Sequence, residues 1–386
     1  MSNQQLAKYI ASFNLFSIGL TTLPILTSLD IICAKINIII FIIGIVKFRV
    51  HIKLKKTFVY YTLIATICLV SYHICFDTPI PAGYHPYPSS LYIQHLLGGC
   101  FYYYCGKLNL IKAQTLFKGA IYILIVGSLS VFIFLNSNTE FVYQYCSYTI
   151  MWVLPYTLLG VKKINLNTPT IWIIILGIIA ILATGKRTPL LAPAIGGIIT
   201  YIIWTKCSIQ KNLKFLLSII GVVLILYIVA HDKFMLQYER WNNELSNTED
   251  ASLGNGRSRI WGTLILDFSE STPKEQLYGQ GFQATKTKTG NLWGMDIGAH
   301  NDFLDSLINY GYIGLAIHLT FSITMIIYSI YYVMRKKPQS YILPVLTTTW
   351  LISELISSNN TRLSSLLYTL LFFYLIGKLE TQNSRL

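Results

Sequence analysis

Charge is what this sequence has least of. Asp, Glu, Lys and Arg make up 12% of its 386 residues, against about 25% in a soluble domain. Hydrophobic residues make up 53%, and mean hydropathy is +0.53. That deficit excludes an ordinary soluble enzyme and predicts an all-α, polytopic membrane protein. Acidic residues are the scarcest: eleven of the sixteen fall between Asp232 and Leu315. The seven cysteines (Cys33, Cys68, Cys75, Cys100, Cys105, Cys146 and Cys207) are scattered, mostly inside apolar runs. None forms a CxxC or a metal-ligand spacing, so they read as small buried hydrophobes. No internal repeat and no low-complexity segment is present. The first apolar run lacks a basic leader with a small-residue cleavage site and is expected to remain as a membrane helix. The net charge of +14 does not imply a nucleic-acid partner, because most basic residues sit between apolar runs, where they set orientation.

What the chain does have is apolar runs of bilayer length. A span needs about 20 mainly apolar residues, and twelve are expected. Their approximate ranges are 9–27, 31–46, 57–76, 90–106, 119–136, 142–161, 169–185, 190–205, 215–230, 305–334, 340–357 and 362–379. Lys47, Arg49, Lys53, Lys55 and Lys56 follow the second run; Lys107, Lys112 and Lys118 follow the fourth. Lys162 and Lys163 follow the sixth, Lys206, Lys211 and Lys214 the eighth, and Arg335 to Lys337 the tenth. The positive-inside rule then puts both termini in the cytoplasm and the loop between spans nine and ten outside. The chain reads as one membrane domain, 1–386, carrying a loop at 232–304.

Two external features stand out. Lys186 and Arg187 in ATGKRTPL occupy a turn that should lack cations. Charges at a span end can snorkel to the interface; alternatively they face an anionic ligand at the membrane surface. The segment DTPIPAGYHPYPSS carries Pro79, Pro81, Pro86 and Pro88, which should prevent a helix. Tyr84, His85 and Tyr87 there could stack on a sugar, although a Pro-rich surface turn accounts for them equally well.

The polar insert holds most of the chemistry. Arg257 to Phe268 has apolar residues at helical spacing, with Trp261, Ile265 and Phe268 on one side and Ile260 and Leu264 beside them. A short amphipathic helix is expected to open after Gly256, with Arg257 at its start and Trp261 one turn on. An Arg there opposes the helix dipole, so a ligand or an acidic partner is expected. Ser271, Thr272 and Pro273 should end that helix, and Gly279, Gly281 and Gly290 should mark turns. His300 then precedes Asn301 or Asp302, either of which could cap the tenth span. A neutral imidazole held there could accept a proton near pH 7, although a histidine before a membrane helix is often structural. Gly311 and Gly314 permit close helix packing.

This pattern resembles the O-antigen polymerase/ligase superfamily, integral membrane glycosyltransferases that use polyprenyl-diphosphate-linked glycans. The hallmark of its ligase members is His, then Asn, Ser or Gln, nine residues, Gly, two residues and Gly, Thr or Tyr. Here it is matched by His300-Asn301, residues 302–310, Gly311 and Gly314. Gly256-Arg257 followed by Trp261 matches a second feature, and Arg187 near a span end a third. Twelve spans with a large external loop after the ninth match the layout; the first half matches in topology alone. The resemblance implies an inverting, metal-independent transfer with no cofactor, and no Asp-x-Asp occurs in the external loop. Arg187 and Arg257 would hold the leaving diphosphate, with Arg259 and Lys186 as further phosphate contacts. His300 would be the general base. Asn301, Asp302 and Trp261 are candidate sugar contacts; Asp296, Asp302 and Asp305 could orient His300.

The resemblance further implies undecaprenyl-diphosphate-linked oligosaccharide as substrate, the bacterial inner membrane as location, and a chain-length regulator as protein partner. A polymerase adds the growing glycan to a lipid-linked repeat unit; a ligase adds it to the lipid A core. The short first-half loops, with no obvious surface for a core oligosaccharide, favour the polymerase. A flippase or transporter is the rival class, and would usually show paired halves with charged or broken helices near the midplane. Here the halves are unequal and the polar material lies outside, with Lys35 and Glu354 the few charges well within spans.

Overall fold

The computed structural model describes residues 2–21, 29–48, 87–134, 140–160, 168–184, 186, 188–205, 257–281, 284–293, 298–337, 339–356 and 365–383. Within them the chain is helical, with no strand among the described residues. In chain order the helices are α1 (Asn3–Leu20), α2 (Leu29–Lys47), α3 (Tyr87–Lys107), α4 (Ala113–Phe134), α5 (Glu140–Thr157), α6 (Thr168–Ala183) and α7 (Thr188–Thr205). The insert contributes α8 (Arg257–Ser269), α9 (Pro273–Tyr278) and α10 (Ala284–Trp293). The chain closes with α11 (Asp302–Met334), α12 (Ile342–Ile356) and α13 (Leu366–Asn383).

Helices stand at ten of the twelve expected spans; the third and ninth lie outside the described residues. By length and composition, α4 and α11 could each cross a membrane, while α6, α7 and α12 hold shorter apolar stretches. Pro88, expected to prevent a helix, instead sits in the first turn of α3, where the missing N–H would be unpaired anyway. Pro79, Pro81, Pro86, Tyr84 and His85 lie outside the described residues. The four described cysteines are all buried thiols, as small apolar side chains should be.

The bundle is held by close backbone approach and a few buried polar contacts. α3 and α13 form a tight pair: a Cβ at Gly106 would overlap the Tyr374 carbonyl, and one at Gly377 the Tyr103 carbonyl. Small residues at such a crossing let two helices meet backbone to backbone. His95 of α3 reaches Thr369 (2.6 Å) and Ser365 (3.2 Å), which completes that seam. Asn14 of α1 donates to Asn37 of α2 at 2.8 Å, both fully buried.

The same contacts order the two ends. Tyr103 donates to Glu380 at 2.5 Å, Thr381 to the Lys107 carbonyl at 2.7 Å, and Tyr328 and Tyr332 of α11 lie close by. The turn after α3 therefore sits at the C-terminal end of α11. The insert packs on the N-terminal end of the same helix.

Candidate functional site

The site is built where the insert folds onto the start of α11. A small separate core forms there from Ile260, Leu264 and Phe268 of α8 with Ala299, Leu304 and Ile308. These α8 residues recur every fourth position, one face of a helix. The sequence placed the stripe on Trp261, Ile265 and Phe268; in the structure Leu264 is 0% exposed and Ile265 is 52% exposed. The partner surface on α11 sets the phase: Phe268 is buried as expected, and Leu264, placed beside the stripe, is buried in place of Ile265.

Two arms of this unit meet at one residue. Trp261 donates its indole N–H to the Ala299 carbonyl at 2.6 Å, and the Ala299 N–H donates to Asp305 Oδ1 at 3.0 Å. Both backbone groups of a fully buried residue are thus engaged. The next residue, His300, has φ +54°, a left-handed conformation uncommon for a residue with a Cβ but less so for histidine. Asn301 follows as the N-cap of α11, its Oδ1 accepting from the Phe303 N–H (3.0 Å) and the Leu304 N–H (3.1 Å). His300 is therefore gripped on both sides: by the Trp261–Ala299–Asp305 clamp before it and by the Asn301 cap after it. Such strain persists where the surroundings over-determine it.

Arg257 is the first residue of α8, one turn before Trp261. Its guanidinium is more than half buried, and burial pulls it below its ordinary range, partly opposed by the nearby Tyr148 phenol. Tyr148 belongs to α5, eight residues from its start. Arg257 therefore reaches from the insert to the membrane bundle. A guanidinium held partly out of water beside a phenol stays charged.

A second connection sets the angle of α11. Gly311 has φ +67° and ψ −166° inside the helix, so α11 is kinked there. A Cβ at Gly311 would overlap the Leu277 carbonyl, and one at Gly279 (φ +89°) would overlap the backbone at Asn309. Freed α11 carbonyls at the kink are taken up by the following turn: Gln280 N–H donates to Ile308 (2.9 Å) and Gly281 N–H to Asn309 (3.2 Å). The Asn309 side chain accepts from the Thr285 N–H and hydroxyl, both at 3.1 Å, and so holds the start of α10. Gly311 thus serves the close helix approach expected of it, against Leu277 of α9, and a kink that was not expected. Gly279 and Gly281 do mark turns; Gly290 lies within α10. The end of α8 falls at Ser269, and Thr272 and Pro273 instead open α9 with a capping box to Glu275.

Below this surface lies a buried polar cluster. Asp302 is 4% exposed and faces His318 electrostatically. His318 contacts Ser306 at 2.6 Å and Glu354 of α12 at 3.0 Å, and its ring lies against Phe303. Glu354 was conspicuous as a carboxylate inside an apolar run. His318 was not, because its partner is on another helix and no sequence spacing joins them. Tyr148 was missed for the same reason.

Of the expected site residues, Trp261 is tied through Ala299 to the segment of His300, Asn301 and Asp302, and Arg257 stands one turn before Trp261 on α8. Lys186 is half-buried in the turn between α6 and α7, its N–H on the Thr184 hydroxyl at 3.4 Å. Arg187, Asp296 and the Arg259 side chain lie outside the described residues. Among the described residues no cluster of three or more His, Cys, Asp or Glu could hold a metal ion.

Residues 172–319 match a family model described as O-antigen ligase. The match supports the O-antigen polymerase/ligase superfamily, and with it a membrane enzyme acting on lipid-linked oligosaccharide. It spans α6 to the middle of α11 and includes Arg187, Arg257, Trp261, His300, Gly311 and His318. No curated protein matches the chain.

Proposed function

We propose that the chain is a bacterial O-antigen polymerase that elongates undecaprenyl-diphosphate-linked glycan on the periplasmic face of the inner membrane. Twelve spans with both termini cytoplasmic would place the insert in the periplasm. The observation that carries this reading is the Trp261–Ala299 hydrogen bond. It ties the arm that bears Arg257 to the residue next to His300, so a phosphate-binding cation and a candidate base belong to one rigid unit.

In the reaction His300 accepts the proton of the acceptor sugar hydroxyl, and that oxygen attacks the anomeric carbon of the lipid-linked glycan. The bond to the diphosphate breaks on the opposite face, so configuration inverts, and polyprenyl diphosphate leaves. Arg257, with Arg187, takes up the charge that develops on the leaving oxygen, worth a few kcal/mol per well-placed donor. Arg259 and Lys186 extend the phosphate contacts. The half-buried Trp261 and Asn301 face the sugar more readily than Asp302, which is turned into the bundle towards His318.

The description of the matched family as ligase keeps one alternative: transfer to the lipid A core. The lipopolysaccharide ladder of a deletion strain separates the two. Core bearing a single repeat identifies a polymerase. Bare core with lipid-linked polymer accumulating identifies a ligase.

A further inference from the structure

At the far end of the bundle from His300, a cavity of about 1040 Å³ opens between α1 and the start of α4. Three lysines, Lys8, Lys112 and Lys118, line it, and no carboxylate does. Two long helices begin at it, α1 at Asn3 and α4 at Ala113, and neither has an acidic residue in its first turn. A helix start carries the positive end of the dipole and unpaired N–H groups, which acidic residues commonly offset. The α1 start is closed by a Ser2–Gln5 capping box, so what meets here is the positive end of two helix dipoles and three ammonium groups, with no carboxylate among the lining residues.

The walls are of a different kind. Tyr9 is 63% exposed and Phe16 47%, and Phe16 stacks on Tyr122 of α4 with centroids 5.5 Å apart. From Ser2 to Phe16 the groove follows α1 for about 21 Å, more than a headgroup needs. A cationic mouth that continues as an aromatic trough along the outside of a membrane bundle matches an amphiphile with an anionic head and an apolar tail.

We propose that this groove binds an anionic phospholipid of the cytoplasmic leaflet, its phosphodiester headgroup held by Lys8, Lys112 and Lys118 and its acyl chain laid along Tyr9, Phe16 and Tyr122. The turn after α3 is at the C-terminal end of α11, so the site is separate from the glycan-transfer site and does not depend on the reading of that site. Free phosphate esters share the headgroup chemistry but have no use for the trough.

The test uses the full chain in detergent, with lipid retention read by native mass spectrometry. Phosphatidylglycerol should be retained over phosphatidylcholine by about tenfold or more. The triple substitution Lys8→Gln, Lys112→Gln and Lys118→Gln should erase that preference at an unchanged melting temperature. Lys337→Gln, at the same end but outside the groove, should preserve it. Millimolar inorganic phosphate should not strip the lipid. Equal retention of the two lipids, persistence of the preference in the triple variant, its loss with Lys337→Gln, or displacement by phosphate would each overturn the proposal. Should the triple variant melt earlier, Lys118→Gln alone should lower the preference severalfold; no change would contradict the site.

Discussion

Trp261 and Ala299 are 38 residues apart in sequence and joined by a 2.6 Å hydrogen bond, indole N–H to carbonyl. Trp261→Phe keeps the ring's packing and removes the donor. An unsatisfied carbonyl on a fully buried residue costs about 1–3 kcal/mol. The cost falls on the backbone that holds His300, so polymer formation should drop more than protein level does. A complementation assay with immunoblotting checks both.

Gly311→Ala should be far worse than its size suggests. The added methyl meets the Leu277 carbonyl, and φ of +67° is unfavourable for alanine by about 1 kcal/mol or more. Loss of folded protein is the expected outcome, measured by size-exclusion profile in detergent. Gly262 provides the contrast: it sits inside α8 with nothing within 4 Å of an added Cβ. Gly262→Ala should leave activity intact and stabilise by up to about 1 kcal/mol, seen as a higher melting temperature.

His318 and Glu354 lock α11 to α12 beneath the site. Leaving one of two buried polar groups without its neighbour typically costs about 1–3 kcal/mol, so His318→Ala and Glu354→Ala should each lower thermal stability. Glu354→Gln, of equal volume and neutral, should lose much less. Equal melting temperatures for Glu354→Ala and wild type would show that the pair does not brace the two helices.

Glu275 gives a pH dependence. Its carboxylate accepts from the Thr272 hydroxyl (2.7 Å) and N–H (2.9 Å), which holds it below the ordinary glutamate value. Its folded value is below its unfolded one, so its stabilisation is complete above about pH 4.5 and fades as pH falls through the folded value. Hydrogen exchange in α9, residues 273–278, should accelerate relative to α11 once pH drops below that range. Thr272→Val should produce the same fraying at neutral pH.

Much of this arrangement is written in short-range signals. Apolar length marked ten helices because a span must satisfy its backbone internally. Asn301 was one of two residues expected as the cap, and Arg257 was expected as a helix start. What stayed hidden depends on partners distant in sequence. The face α8 buries is chosen by α11, so Ile265 turned outward although its spacing suited either stripe. Gly311 carried a motif position, yet its kink is understandable only with Leu277 and Gly279 against it. Glu354 could be singled out as a carboxylate in an apolar run, but nothing local pointed to His318.

The measurement that bears most directly on the central claim is the lipopolysaccharide ladder of a deletion strain complemented with His300→Ala, Arg257→Ala or wild type at matched protein level. Wild type should give a full ladder, and both variants core with a single repeat. A long ladder from His300→Ala would remove the imidazole from the transfer step, and bare core from the deletion strain would contradict polymerisation itself.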